Sequence, residues 1–199
     1  MNQVQNEKYV TLAIVVGFTA QIFTYLLALL LYPPVYSGDI PVFAPKSLVI
    51  ISMGLVMFIF GSTVMAIKLA DEKNILAAAG FTMLAITIGV WMALLFESSQ
   101  DGTMETFEKS YYVISCSNFL YLPAMVLIGA NDGFKKWVRY LGLISALPFL
   151  ASSLLFLNDY RNFKVLDEIS SGGYGLILFT QVMWATNVYQ NYRKKKSAS

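Results

Sequence analysis

Residues 48–61 read LVIISMGLVMFIFG, an apolar run interrupted only by one serine and two glycines. The run is apolar on every face of a helix or a strand, whereas a strand of a membrane β-barrel alternates apolar and polar residues. The stretch continues to Ala70 with Lys68 as its sole charge, and about 20 apolar residues of helix cross a hydrocarbon core. It therefore predicts a transmembrane helix.

Five further windows have nearly the same length and character, and only short connections separate them. The chain is 57% hydrophobic and 13% charged, against about 25% charged residues in soluble domains. We therefore predict an all-α polytopic membrane protein, a bundle of six transmembrane helices that forms one domain over residues 1–199. The predicted helices cover residues 9–31, 48–70, 75–96, 111–130, 138–157 and 172–190.

Lysine and arginine are unevenly distributed between the two sides of such a bundle. Ten lie on the side of the amino terminus and four lie on the other side. Because basic flanks are retained in the cytoplasm, we expect both termini there, with residues 191–199 as a basic cytoplasmic tail. The opposite connections hold eight acidic residues, which either attract external cations or basic partners or only keep the loops soluble.

Small or polar residues recur every four positions on three of the windows, a spacing that lets membrane helices approach closely. We interpret these stripes as packing surfaces rather than sites. Their members are Ala13, Gly17 and Gln21, then Ser62, Ala66 and Ala70, then Ala85, Gly89 and Ala93. The serines and glycines of residues 170–175 predict a loose linker before the last helix.

The stretch ISCSNFLYLP at residues 114–123 places polar side chains inside a predicted span. With a rise of 1.5 Å per residue, Asn118 lies roughly a third of the way across the bilayer, and Gln21 and Gln181 lie near its middle. Residues three or four positions away share a face with each amide. If these faces converge, they line an aromatic-walled cavity for a small neutral or zwitterionic ligand. The candidate ligand-binding residues are Gln21, Tyr25, Ser115, Asn118, Tyr121, Gln181, Trp184 and Asn187.

The same amides have a second interpretation, in which they hydrogen-bond to one another and lock the bundle. Interhelical hydrogen bonds in membranes average only about 0.6 kcal/mol, so buried amides need no functional role. An enclosed cavity around Gln21, Asn118 and Gln181 favours the binding interpretation. Amides paired with one another favour packing.

Several functions lack the residues that they require. The chain has no histidine and a single cysteine, Cys116, so we expect no metal site, no cofactor and no intramolecular disulfide. No charged residue lies in the central third of a window, which disfavours proton relays and voltage sensing. The serines at depth have no histidine or lysine base beside them, so an intramembrane enzyme is also disfavoured.

The sequence thus favours a small transport or solute-binding component with a neutral polar cavity near the bilayer midplane. The alternative is a non-catalytic subunit or scaffold of a larger membrane complex. Partners are then the lipid bilayer, a small ligand and other membrane proteins or a second copy, with no nucleic acid. Short connections and the absence of an N-x-S/T sequon favour a bacterial cytoplasmic membrane.

Overall fold

The computed structural model describes residues 3–37, 40–101 and 104–198. Within these ranges the chain forms six α-helices and one short antiparallel hairpin, which confirms the all-helical prediction. The helices are α1 (Gln3–Leu31), α2 (Pro45–Asp71), α3 (Ile75–Asp101), α4 (Met104–Gly129), α5 (Lys136–Leu157) and α6 (Phe163–Ala198). The hairpin joins α1 to α2 and consists of β1 (Val35–Ser37) and β2 (Ile40–Val42).

The first connection is compact because its sequence stops one helix and reverses the chain. Pro33 and Pro34 follow the end of α1, where proline cannot continue the helical hydrogen bonds. Val35 then lies opposite Val42 in the hairpin. Gly38 and Asp39, between the two strands, lie outside the described residues.

The six helices form a closed ring. Each helix packs against its neighbours in the chain, and α6 packs against α1. Neighbours run antiparallel: Glu7 at the start of α1 pairs with Lys68 near the end of α2 and with Lys195 near the end of α6. We call this side of the ring the amino-terminal end, and we call the side with β1 and β2 the hairpin end.

Helices α1 and α2 pack with their backbones in contact. A Cβ atom added to Gly17 would lie 2.6 Å from the Cα atom of Gly61, so neither residue can carry a side chain without displacing a helix. The predicted stripe on α1 is thus confirmed at Gly17. The stripe on α3 gives no close backbone approach at Gly89, where an added Cβ would lie 4.0 Å from Ile59 Cδ1 in ordinary contact. Helix α3 instead approaches α4 closely at Gly80.

The last helix begins earlier and ends later than predicted. The linker prediction for residues 170–175 is wrong, because these residues lie inside α6. Gly173 has a packing role there, since an added Cβ would lie 3.0 Å from the ring of Phe149 and 3.1 Å from Pro148 on α5. The basic tail is likewise a continuation of α6, which extends to Ala198.

Among the residues that the structure describes, five helices are long and apolar enough to cross a membrane, over Gln5–Leu31, Pro45–Asp71, Ile75–Leu94, Glu108–Gly129 and Lys136–Leu157. The sixth, α6, is less apolar because Gln181 and Asn187 interrupt it. Large apolar side chains such as Phe23, Leu30 and Met53 are exposed on the outside of the ring. Such a surface suits contact with lipid and not with water.

Candidate binding cavity on the axis of the ring

A cavity of about 200 Å³ lies toward the hairpin end of the ring. All six helices contribute to its wall, so it lies on the axis of the ring. The lining residues are Tyr25 of α1, Phe43 after β2, Ile51 and Leu55 of α2, Trp91 of α3, Tyr111, Ile114 and Asn118 of α4, Phe149 of α5, and Asp167, Ser170, Ser171 and Tyr174 of α6. We call it the hairpin-end cavity.

Two helical stripes give the hairpin-end cavity its depth. On α4 the stripe runs from Tyr111 to Asn118, and on α6 it runs from Asp167 to Tyr174. The first and last residues of each stripe are seven positions apart, or about two helical turns, which is about 10.5 Å. Asp167 and Tyr111 therefore lie near the mouth, and Tyr174 and Asn118 lie at the deep end.

The deep end of the cavity is aromatic and hydrogen-bonded. The rings of Tyr25 and Tyr174 have centroids 4.6 Å apart, and Gln21 Nε2 donates to the Tyr174 hydroxyl at 2.8 Å. Asn118 Nδ2 donates to Ser153 Oγ on α5 at 2.9 Å. Asn118 Oδ1 is buried and has no hydrogen-bond partner among the described residues.

A cluster of aromatic side chains closes the axis below the hairpin-end cavity. We call it the aromatic plug; its members are Phe18, Phe58, Phe81, Phe134 and Trp184. Phe81 and Trp184 meet edge to face with centroids 5.0 Å apart, and Phe18 lies 5.8 Å from Trp184. Ring pairs of this kind contribute about 0.5–1.5 kcal/mol each beyond the burial of their area.

A second cavity, of about 340 Å³, lies at the amino-terminal end. Phe134 of the aromatic plug forms part of its wall, together with charged side chains such as Glu7, Lys68 and Lys195 and with uncharged ones. Glu7 accepts a hydrogen bond from Lys195 Nζ at 2.8 Å, which raises the pKa of Lys195. Lys68 bridges Glu7 and Glu72 at 3.7 and 2.8 Å. We call this the amino-terminal cavity.

The structure brings some of the candidate residues to the hairpin-end cavity and leaves others elsewhere. Tyr25 and Asn118 line it, and Gln21 supports it through Tyr174. Tyr121 stacks on Trp91 with centroids 5.9 Å apart, while Trp184 belongs to the aromatic plug. Asn187 Nδ2 donates to the Met183 carbonyl of its own helix. Ser115 is fully buried, and its hydroxyl has no partner among the described residues.

Gln181 and Gln21 form a polar layer between the hairpin-end cavity and the plug. Two ring contacts between α1 and α6 bracket them: Tyr25 with Tyr174 on one side and Phe18 with Trp184 on the other. Both glutamines are almost fully buried: Gln21 is 1% exposed and Gln181 is 0% exposed. Gln181 Nε2, Gln181 Oε1 and Gln21 Oε1 have no hydrogen-bond partner within the described chain.

The packing interpretation required the three midplane amides to hydrogen-bond to one another. The described hydrogen bonds do not join them. Of the described hydrogen bonds, the one from Gln21 goes to Tyr174 and the one from Asn118 goes to Ser153. They do not share one enclosed pocket either, because only Asn118 lines the hairpin-end cavity directly. The three amides therefore neither pair with one another, as the packing interpretation requires, nor line one common pocket, as the binding interpretation requires.

Sequence reasoning found only Tyr25 and Asn118 of the residues in the described cavity wall, and the aromatic residues that it missed include Trp91, Tyr111, Phe149 and Tyr174. Two of them carried a usable signal. Tyr111 lies seven residues before Asn118, and Tyr174 lies seven residues before Gln181, which puts each pair on one helix face two turns apart. Trp91 and Phe149 are ordinary apolar residues of their spans, and only the packing of the ring brings them to the axis.

The lining of the hairpin-end cavity is mixed in chemistry. It offers aromatic faces, hydroxyl groups, one amide acceptor and one carboxylate. Within the part of the chain that the structure describes, no three His, Cys, Asp or Glu side chains are grouped closely enough to hold a metal ion.

Comparisons with known protein families, with characterised proteins and with solved structures find no match for this chain. Its class therefore follows from the fold alone. The chain is an integral membrane protein of the helical-bundle class, with apolar helices suited to the lipid bilayer.

Proposed function

We propose that the protein is a six-span membrane transporter that binds a small solute in the hairpin-end cavity. The observation that carries the proposal is the order of features along the ring: a cavity at each end, with the glutamine layer and the aromatic plug between them. A transporter needs a central site and a barrier that keeps it from opening to both sides at once. A scaffold has no use for either cavity.

The contacts of α6 support six spans. At one end Lys195 of α6 pairs with Glu7 of α1, and toward the other end Tyr174 contacts Tyr25. Helix α6 thus follows α1 along its length, so a bilayer that contains α1 also contains α6. The polar Gln181 and Asn187 are buried, at 0% and 6% exposed, which lets α6 lie in lipid without exposing them.

The distribution of basic residues supports an orientation with both termini in the cytoplasm. The amino-terminal end of the ring includes Lys68, Arg139 and Lys195, which take part in ion pairs there, and cytoplasmic ends of membrane helices are rich in such residues. The hairpin-end cavity then faces outward. The short connections and missing sequons favour a bacterial cytoplasmic membrane.

Thiol labelling of Gln181→Cys tests the proposal. In a Cys116→Ser background, an impermeant methanethiosulfonate reagent is applied to either side of oriented vesicles. A transporter that alternates exposes residue 181 to both sides in turn, so we expect labelling from both. Ser62→Cys is the matched control, because Ser62 is also fully buried but lines neither cavity. It should remain unlabelled.

Each remaining outcome has a defined meaning. Labelling of Gln181→Cys from the hairpin side alone would reduce the protein to a binding component that does not move its ligand. Labelling from neither side, with Tm unchanged by the substitution, would favour the scaffold interpretation.

A further inference from the structure

Four charged side chains on the wall of the amino-terminal cavity form one closed network of ion pairs. Lys195 Nζ lies 2.8 Å from Glu7 and 3.7 Å from Glu72, and Lys68 Nζ lies 3.7 Å from Glu7 and 2.8 Å from Glu72. We infer that this network, the ion-pair latch, holds α6 against α1 and α2 and breaks when the amino-terminal cavity opens. The inference rests on the proposed function, because it concerns how a transporter opens to one side.

Lys195 is the member of the ion-pair latch that joins the last helix to the first two. Lys68 and Glu72 are four residues apart at the end of α2, so their ion pair lies within one segment. Both ion pairs of Lys195 instead cross between helices, to Glu7 of α1 and to Glu72 directly after α2. Loss of the Lys195 charge therefore removes every ion pair of the latch that involves α6.

The ion-pair latch lies at one end of a continuous seam between α1 and α6. Residues seven positions apart lie on one helix face, two turns from each other. The seam residues at this spacing are Glu7, Ile14 and Gln21 on α1 and Tyr174, Gln181, Val188 and Lys195 on α6. Contacts at the two ends join Glu7 to Lys195 and Gln21 to Tyr174. The latch and Gln181 of the glutamine layer therefore belong to one interface and lie about 21 Å apart along α6.

Side chains hold the seam between α1 and α6, whereas the other neighbours of these two helices pack closely at glycine. Gly17 of α1 lies against Gly61 of α2, and Gly173 of α6 lies against Phe149 of α5. The described contacts across the seam are instead an ion pair, a hydrogen bond and ring contacts. Separation of α6 from α1 therefore leaves the closely packed pairs α1–α2 and α5–α6 intact, as in a rigid-body movement of one part of a protein against another.

Water reaches the ion-pair latch, so its ion pairs separate at low cost. The side chain of Lys195 is 59% exposed, and those of Glu72 and Glu7 are 45% and 28% exposed. Ion pairs in such positions are individually weak and are screened by salt. A contact that forms and breaks in each transport cycle needs this property.

The test measures the separation of α6 from α1 by double electron–electron resonance, on the full chain in lipid nanodiscs and in a Cys116→Ser background. One pair of spin labels is attached at Tyr9→Cys of α1 and Tyr189→Cys of α6. A second pair, at Tyr9→Cys and Ile67→Cys of α2, reports on the closely packed neighbours. All three positions are exposed, so the labels do not disturb the interior of the ring.

We expect Lys195→Met to raise the population with a longer α1–α6 distance about threefold or more and to leave the α1–α2 distance unchanged. Lys195→Arg keeps the charge and should behave as the unsubstituted protein. Salt at about 1 M, where the screening length is about 3 Å, should act on the unsubstituted protein as Lys195→Met does. Lys194→Met is the matched control, because Lys194 lines the same cavity but has no ion pair among the described residues. It should alter neither distance.

The inference is overturned if Lys195→Met leaves the α1–α6 distance unchanged, or if Lys194→Met changes it equally. Movement of α2 away from α1 by as much as α6 also overturns it. Labelling of Gln181→Cys decides the proposed function separately. If the latch fails this test while residue 181 is labelled from both sides, the protein is a transporter that opens elsewhere. If α6 responds as expected while residue 181 is labelled from neither side, the latch is supported and transport is overturned.

Discussion

Asn118 has two roles at once. Its Nδ2 group bridges α4 to Ser153 of α5 at 2.9 Å, while the residue also lines the hairpin-end cavity and its buried Oδ1 atom has no partner among the described residues. The side chain therefore joins two helices and also forms part of the cavity wall. An interhelical contact and a place in the proposed binding site are not exclusive at this residue.

Replacement of Asn118 by leucine measures the bridging role. We expect a loss of about 0.6 kcal/mol in the free energy of unfolding, the usual size of an interhelical hydrogen bond in a membrane protein. Unfolding in mixed detergent micelles gives the value, and a double-mutant cycle with Ser153→Ala isolates the pair. Asn187→Leu is the control, because within the described part of the chain Asn187 donates to the Met183 carbonyl of its own helix. It should show no coupling to Ser153, and zero coupling between Asn118 and Ser153 would contradict the bridge.

The sequence was informative about residues that are polar and deep in a span. Asn118 and Tyr25 were found because an amide or phenol within an apolar run is conspicuous, and both line the cavity. Trp91 and Phe149 were missed because an aromatic residue in a membrane span is ordinary. Nothing in the local pattern separates a ring that faces lipid, such as Phe23, from one that faces the axis.

At the scale of the element, α6 shows how glycine changes meaning in a membrane protein. Glycine and serine at residues 170–175 predict a linker because glycine destabilises a helix in water by about 1 kcal/mol relative to alanine. In lipid the backbone must satisfy its own hydrogen bonds, so the helix continues through glycine. Gly173 then lets α6 approach Phe149 and Pro148 of α5.

The contact between α1 and α2 gives a prediction at the same scale. Gly17→Ala would place a methyl group 2.6 Å from the backbone of Gly61, so the helices must separate. We expect a loss of about 1–3 kcal/mol, the usual cost of overpacking. Gly89→Ala is the matched control. The added methyl group would lie 4.0 Å from Ile59 Cδ1, an ordinary contact distance, and alanine is the better helix former.

Thermal unfolding in detergent provides the measurement for both glycine variants. Gly17→Ala should lower Tm, and Gly89→Ala should leave Tm unchanged or raise it. Equal effects of the two substitutions would show that α1 and α2 are not in backbone contact. Periodicity alone ranked these two glycines equally, because spacing shows which residues share a face and not which face meets a neighbour.

At the scale of the molecule, closure of the ring creates the axial features. The pairing of α1 with α6 joins the two ends of the chain through Glu7 with Lys195, Gln21 with Tyr174 and Phe18 with Trp184. The sequence predicted helices, and it predicted which of them carry polar groups at depth. It could not predict that the first and last helices are neighbours, since that contact spans almost the whole chain.

Closure of the ring also predicts on which sides of the membrane two chosen positions lie. Thr103 lies in the connection between α3 and α4, outside the described residues, and Ala198 ends α6 at the amino-terminal end of the ring. With six spans and a cytoplasmic amino terminus, residue 103 is external and residue 198 is cytoplasmic. If α6 lay on the outer surface instead of crossing, five spans would put both residues outside. The two topologies thus differ in the side of residue 198 alone.

Cysteine labelling of Thr103→Cys and Ala198→Cys in a Cys116→Ser background separates these topologies. The Cys116→Ser change is needed because Cys116 is exposed on the ring surface. An impermeant maleimide added to intact cells should label residue 103 at once and residue 198 only after the membrane is permeabilised. Labelling of both residues in intact cells would leave α6 outside the bilayer. In that topology Gln181 and the aromatic plug would be accessible from one side of the membrane only. Such an arrangement is incompatible with a ring of helices that carries a solute across the membrane.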